Sequence, residues 1–466
     1  MRYVGYSENF HDAGLAILSE EGEIELAVHA ERYTKVKNDP ILPDELWSFI
    51  QENDDVTFYE DPTARAEGAA LGNYQVQHHS ILPNTNMYDQ CILHHVSHVA
   101  GAMFTRPWKD PSDTVLLSID GYGEREFATI YDTSYNRLKE WTESASIGIL
   151  YSTTTKHLGL RPLEDEYVVM GLSSYGEVSG KWYDYLNSVY NTNPSDGLFK
   201  LTRPFVESLS REDVAATIQK FTEDKIYEIA QEARKYGSKL TYSGGVAQNI
   251  IANTQIRDLF DEVWIPPAVS DAGSALGAAA YTWGQRTGKD RIQWKDAYLG
   301  YNIDREINPR EVVDHLLEHQ YCGIANGKAE YGPRALGNRS LIADVRYDVK
   351  DTVNTIKQRQ KYRPFAPAIL EEYSEEYFEG HMNEYMQYTA KALHDYSSVT
   401  HVDGTARVQI VKKDCTSVFR KVIEEYYERT GVPMLLNTSL NIRGRPIVND
   451  ELDAKLFEQK YKVKVF

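Results

Sequence analysis

The chain opens on short apolar runs broken by glycine and acidic turns. Residues 3–6, Gly14–Leu18 and residues 24–30 have the length and apolar content of strands, and Glu20-Glu21-Gly22-Glu23 supplies a turn between the last two. The same rhythm returns from Asp113, where residues 115–119 lead through Asp120-Gly121-Tyr122-Gly123 into residues 127–131. A repeated strand, small-residue turn and strand predicts a duplicated α/β unit, with ligands gathering at the turns beyond the strand ends.

Helical periodicity fills the space between. Ser210-Arg211-Glu212-Asp213 puts a capping serine and acidic residues ahead of Ile218, Phe221, Ile226 and Ile229, so a long amphipathic helix is expected, stopping at Gly237. Lys239–Ser243 reads as a strand entering a glycine loop, and Asp271 stands just before a small-residue helix over 272–280. A polar stretch over 284–295 marks the expected boundary between a first domain, 1–290, and a second, 291–466. In the second domain, helices are expected over Pro309–His319 and 418–429, the latter stopped by Gly431, with strands at 408–411 and 434–436.

Composition agrees with two domains. A chain of 466 residues exceeds what one core usually organises, and 42% hydrophobic residues are enough for real cores. No run of 18 apolar residues occurs and the N-terminus carries a strand pattern in place of a signal peptide, so a cytoplasmic location with no membrane partner is expected. Cys91, Cys322 and Cys415 are odd in number and far apart, which indicates neither a disulfide framework nor a thiolate metal site. The formal charge of −19 disfavours non-specific attraction to nucleic acid, although a local cationic pocket still binds phosphates inside an acidic protein, and a nucleic-acid acceptor stays open. The 33 tyrosines fit ligand stacking or lineage bias equally.

Candidate chemistry falls in two places. Residues 327–340, Gly-Lys-Ala-Glu-Tyr-Gly-Pro-Arg-Ala-Leu-Gly-Asn-Arg-Ser, combine three glycines with Arg334 and Arg339, a composition suited to anion binding because glycine lets backbone approach a ligand and guanidinium groups grip oxyanions. A solvated basic turn is the alternative. Lys357, Arg359 and Arg363 follow, then Arg407 and the polar cluster Asn437-Thr438-Ser439-Leu440-Asn441. In the first domain, His94 and His98 are four apart in a helix-compatible segment, so both imidazoles can project from one face as metal chelation requires; a histidine-rich helix surface is the other reading. Asp120 ends a strand and Asp271 begins a helix, each also explicable as a turn residue or cap.

These motifs, in this order, resemble the O-carbamoyltransferases of the NodU/CmcH type. The resemblance implies an α/β fold with an actin-like, Kae1-like duplicated domain followed by a YrdC-like α/β domain. It implies that the second domain uses ATP and carbamoyl phosphate to form carbamoyl-adenylate, with Lys357, Arg359, Arg363 and Arg407 neutralising the anions and Arg334, Asn338, Arg339, Asn437 and Ser439 orienting them. It further implies that His94, His98, Asp120 and Asp271 hold a divalent metal, usually assigned as iron, and that Gly244-Gly245-Val246 with Asn249 forms a nucleotide loop. His11 would be the general base that helps deprotonate the acceptor hydroxyl; Lys357 and Arg363 join it as the expected catalytic groups.

Some positions depart from the family pattern. Asn38 replaces a histidine in Glu31-Arg32-Tyr33-Thr34-Lys35-Val36-Lys37-Asn38-Asp39, Val168 follows Glu166-Tyr167 where a lysine is usual, and Leu440 and Arg445 replace a phenylalanine and a glutamate. With a chain shorter than many relatives, this predicts trimmed loops and a different acceptor pocket. The acceptor class expected is a hydroxylated small molecule, sugar or nucleoside; its identity and the oligomeric state are not legible. A tRNA threonylcarbamoyl transferase-like or other actin-like ATP-using enzyme, and a non-catalytic nucleotide-binding module, are the competing readings.

Overall fold

The opening apolar runs fold as β1 (Tyr3–Ser7), β2 (Gly14–Leu18) and β3 (Ile24–His29), paired antiparallel across short connections. A fourth strand, β4 (Asp55–Phe58), runs parallel to β1 and gives the order β3-β2-β1-β4. The plan then repeats. β5 (Thr114–Ile119), β6 (Ala128–Tyr131) and β7 (Arg137–Trp141) pair antiparallel, β8 (Lys239–Ser243) lies parallel to β5, and β9 (Glu262–Trp264) extends the order to β7-β6-β5-β8-β9. The first four strands of each sheet therefore share one topology, the duplicated α/β unit expected from the sequence. β1 and β5 are buried at every position, as strands covered on both faces must be.

The structure is a computed structural model that describes residues 1–64, 90–142, 144–191 and 208–466. The chain forms two compact units, one of Met1–Ala30 with Asn38–Lys295, the other of Glu31–Lys37 with Asp296–Phe466. The repeated sheets belong to the first. Its long helix, Arg211–Ala233, is capped by Ser210, whose side chain accepts the Asp213 N–H. The helix Asp271–Thr287 runs seven residues past the expected 280 and through the start of the polar stretch. Its small residues permit very close packing: a Cβ on Gly277 would lie 1.8 Å from the Ser97 carbonyl oxygen, and one on Gly5 would lie 2.0 Å from that of Ala275. This packing sets the helix His94–Thr105 against Asp271–Thr287, and both carry candidate ligands.

In the second unit β10 (Tyr298–Ile303) pairs with β12 (Gly327–Glu330), and β15 (Phe378–Glu379), β16 (Ala390–Ala392) and β17 (Thr405–Ala406) form a small sheet. The main sheet is mixed, with β11 (Tyr321–Ala325), β13 (Arg339–Ala343), β14 (Ala366–Leu370), β18 (Gln409–Val411) and β19 (Met434–Ser439) in the order β11-β13-β19-β14-β18. On one face it packs on Val312, Leu316, Phe419 and Ile423 of the helices Pro309–His319 and Val418–Thr430; the other face meets Phe365, Val408 and Phe457. The second helix stops at Gly431, φ 72°, a left-handed C-terminal residue that glycine adopts without strain. Among the described residues no helix is long and apolar enough to cross a membrane.

Candidate metal and anion sites

His94 begins the helix His94–Thr105 and His98 lies one turn on, both buried, so their Nε2 atoms come within 3.1 Å of each other. Asp120, immediately after β5, places Oδ2 at 3.1 Å from His94 Nε2 and 2.8 Å from His98 Nε2. Asp271 opens the helix Asp271–Thr287 and brings Oδ1 to 3.7 and 3.5 Å from the same nitrogens. One donor atom from each of the four lies within 4.8 Å of the other three. Ligands about 2.1 Å from a tetrahedral ion stand roughly 3.4 Å apart, so the spacing fits a divalent cation. Two imidazoles with two carboxylates also make a donor set that first-row metals accept.

Electrostatics point the same way. Burial alone would depress the histidines, yet Asp271, Asp120 and Glu60 hold His94 well above the ordinary imidazole range, and Asp120 with Asp271 raises His98. Burial would equally raise Asp120, and the two histidines hold it well below the usual carboxylate value instead. The site favours positive charge. Its outer groups were not legible in the sequence: Glu60 Oε2, fully buried, stands 3.7 Å from His94 Nδ1, Ser274 Oγ lies 3.0 Å from His98 Nδ1, and Glu124 Oε1 accepts the His94 N–H at 2.7 Å. Such partners orient ligating imidazoles.

His11 Nε2 lies 3.9 Å from Asp271 Oδ2, with its side chain 27% exposed, so it stands beside the four-residue cluster and is reachable from solvent. Its neighbour Asp12 accepts a hydrogen bond from the Ser270 hydroxyl and lies 3.5 Å from His29 Nδ1. The glycine loop is tied by its own contacts. The Gly244 N–H is donated to the Val269 carbonyl and the Gly245 N–H to Asp120 Oδ1, at 3.1 Å each, so neither amide is open to a phosphate. Gly244, φ 97°, has no room for a side chain, since a Cβ would lie 2.3 Å from the Ile119 carbonyl oxygen. Asn249 caps the helix Ile250–Arg257 and exchanges amide hydrogen bonds with Gln219. Of the three, Gly245 touches Asp120 and helps to hold its carboxylate in place.

In the second unit the loop over 327–340 is braced by its own carboxylate. Glu330 Oε1 accepts the N–H groups of Leu336, Asn338 and Arg339 at 2.7, 2.8 and 3.1 Å, so the loop's own carboxylate occupies its amides. Arg339 is fully buried and donates to the carbonyls of Asn449, Asn326, Gly327, Asn338 and Tyr301. Asn338 binds the Lys328 carbonyl and the Ser417 hydroxyl. Both hold the loop through these bonds. Arg359 is tied to Asn354 Oδ1 at 2.6 Å, to the Pro364 carbonyl, and over the Phe365 ring at 4.1 Å. Asn437 Nδ2 donates to Gln409 Oε1 and the Ala335 carbonyl, leaving Oδ1 buried without a partner.

Lys357 and Arg407 behave otherwise. Lys357, 4% exposed, gives Nζ to the Ser439 carbonyl, Ser439 Oγ, and the Asn441 carbonyl and Oδ1, all neutral acceptors. Burial, then the charges of Arg359 and Arg363, push its pKa well down. Arg407 makes no hydrogen bond or ion pair with any described residue and keeps a buried Nε unpartnered. Burial and the neighbouring charges of Arg334 and Arg363 lower it well below its usual value. Arg363 is thus near both, and with Arg334 and Arg359 the five cations form one cluster in which no carboxylate among the described residues pairs with Lys357 or Arg407.

Comparison with known proteins follows the same division. Residues 82–280 match the family model described as carbamoyltransferase N-terminus, and residues 313–466 match that described as carbamoyltransferase C-terminus. Nodulation protein NolNO of Sinorhizobium fredii is 30% identical over 95% of this chain and 76% of its own length. Nodulation protein NolO of Bradyrhizobium diazoefficiens is 31% identical over 78% of this chain and 75% of its own. The 3'-hydroxymethylcephem-O-carbamoyltransferase of Amycolatopsis lactamdurans is 30% identical over 63% of this chain and 62% of its own. The protein is a transferase, and it belongs to the carbamoyltransferase family of the NodU/CmcH type.

Proposed function

We propose that the protein is an ATP-dependent O-carbamoyltransferase that activates the carbamoyl group in its second, YrdC-like unit and transfers it in its first, actin-like and Kae1-like unit. The observation that carries this reading is the buried Lys357 together with the half-buried Arg407, whose Nε is buried and unpartnered, neither of them neutralised by a carboxylate among the described residues. Uncompensated buried charge is destabilising, so the cluster calls for a polyanion. Carbamoyl phosphate and ATP are polyanions, and a transferase of this family has a use for both.

In the activation step, water cleaves carbamoyl phosphate to carbamate and phosphate. A carbamate oxygen then attacks the α-phosphorus of ATP, and pyrophosphate leaves with the electron pair of the broken P–O bond. Lys357, Arg363 and Arg407 stabilise the charge developing on the phosphoryl oxygens, Arg334 orients the anion, and Ser439 aims Lys357. In the transfer step, the acceptor hydroxyl oxygen attacks the carbamoyl carbon, AMP departs, and His11 accepts the hydroxyl proton. His94, His98, Asp120 and Asp271 would hold Fe2+, which when bound supplies a Lewis acid that polarises the carbamoyl carbonyl. The acceptor is a hydroxylated small molecule, sugar or nucleoside. Incubation with ATP and carbamoyl phosphate should give AMP and pyrophosphate, and His94→Ala/His98→Ala should lose transfer while keeping pyrophosphate formation; loss of both in a folded variant would count against the division of labour.

A further inference from the structure

Glu31–Lys37 follows β3 directly in the chain, yet it belongs to the second unit. It is not a solvated turn, since Glu31 and Arg32 are 5% and 3% exposed. Arg32 Nη2 donates to the Gly332 carbonyl at 3.1 Å, two residues before Arg334. Lys35 Nζ donates to the Arg32 carbonyl at 2.7 Å and to the Asp453 carboxylate. Asp453 Oδ2 also accepts the Asn449 N–H at 2.9 Å, and the Asn449 carbonyl accepts from Arg339 Nε at 3.0 Å. The segment therefore holds the Arg334 loop on both sides, at Gly332 directly and at Arg339 through Asp453 and Asn449. Between them Glu330 gathers the amides of Leu336, Asn338 and Arg339.

We propose that the donor-activating unit is assembled from two separate stretches of chain, with Glu31–Lys37 as a strap and Arg32 as a positioning residue that fixes Arg334 toward the phosphoryl anion. The claim rests on the donor-activation reading above. Its physical basis is that Gly332 and Gly337, at φ 127° and 123°, give the loop wide backbone freedom that must be removed before Arg334 has a fixed place. A guanidinium displaced by about 1 Å forfeits much of its effect on a bound anion.

The test uses the full chain with Arg32→Ala and Arg32→Lys, and two readouts. The first is amide hydrogen exchange over 330–340; the second is carbamoyl-phosphate-dependent exchange of labelled pyrophosphate into ATP. Arg32→Ala is expected to speed exchange at Leu336, Asn338 and Arg339 and to raise KM for carbamoyl phosphate roughly 10- to 100-fold. Arg32→Lys, which keeps the charge and one donor, should recover part of both. A merely structural loss lowers the active fraction, hence kcat, and leaves KM in place. Unchanged amide exchange in folded Arg32→Ala, or an unchanged KM, overturns the proposal. Absence of pyrophosphate exchange in the wild type refutes the donor reading itself, and the amide-exchange readout then decides separately whether the strap holds the loop.

Discussion

Asp120→Asn removes one charge from the candidate metal site and leaves its surroundings in place. The asparagine carbonyl can occupy the position of Oδ1 and keep the N–H bonds from Gly121 and Gly245, now 2.7 and 3.1 Å. Its NH2 then stands where Oδ2 stood, 2.8 and 3.1 Å from the His98 and His94 nitrogens, with no lone pair for an ion. Disturbing a group that only touches a ligand lowers metal affinity roughly 10- to 100-fold, so removing a ligand should cost at least about 100-fold, about 2.7 kcal/mol. Anaerobic equilibrium dialysis against Fe2+, Mn2+, Co2+ and Zn2+ reads this directly. The wild-type affinity should climb with pH beyond the ordinary imidazole value of 6.5, because the metal displaces a proton that burial opposes but Asp271, Asp120 and Glu60 retain on His94. In Asp120→Asn that climb should end at lower pH. A folded Asp120→Asn that binds every metal as tightly as wild type would refute the reasoning.

Lys357→Met should lower pyrophosphate formation roughly 100- to 1,000-fold, measured by coupled release assay. Its melting temperature should change little, since relief of a buried charge opposes the loss of a donor to the Ser439 and Asn441 oxygens, each on the order of 1–3 kcal/mol. Because burial and Arg359 and Arg363 depress Lys357, the unfolded chain binds its proton where the folded one does not, so stability rises with pH between the folded value and the ordinary 10.5. At a pH inside that window, phosphate or pyrophosphate binding should restore the proton, and calorimetry in buffers of different ionisation enthalpy should record proton uptake that Lys357→Met abolishes. Gly277→Ala should destabilise by about 1–3 kcal/mol and weaken metal binding, since its Cβ would meet the Ser97 carbonyl oxygen at 1.8 Å; an unchanged melting temperature contradicts this.

Much of the fold was legible because local chemistry decided it. Gly14–Leu18 and Lys239–Ser243 are strands within their expected bounds, and Pro309–His319, with a proline at its first position, is the expected helix. His94, His98, Asp120 and Asp271 converge; the histidine spacing suggested chelation, and the family resemblance added the two aspartates. The partners of individual side chains were not legible. An arginine in a glycine-rich loop has the same sequence signature whether it faces an anion, as proposed for Arg334, or five backbone carbonyls, as Arg339 does. The Gly245 amide looked open until Asp120, far away in sequence, filled it. The membership of Glu31–Lys37 in the second unit, and the roles of Glu60, Ser274 and Glu330, depend on tertiary packing that no local pattern encodes.

The most direct test of donor activation in the second unit is to incubate the full chain with α-labelled ATP, with and without carbamoyl phosphate, and to quantify labelled carbamoyl-adenylate, together with the AMP formed when water hydrolyses it, and released pyrophosphate for wild type and Lys357→Met. The account predicts both products only when carbamoyl phosphate is present and the lysine is intact. ATP cleavage that is indifferent to carbamoyl phosphate, or full activity in Lys357→Met, would contradict it.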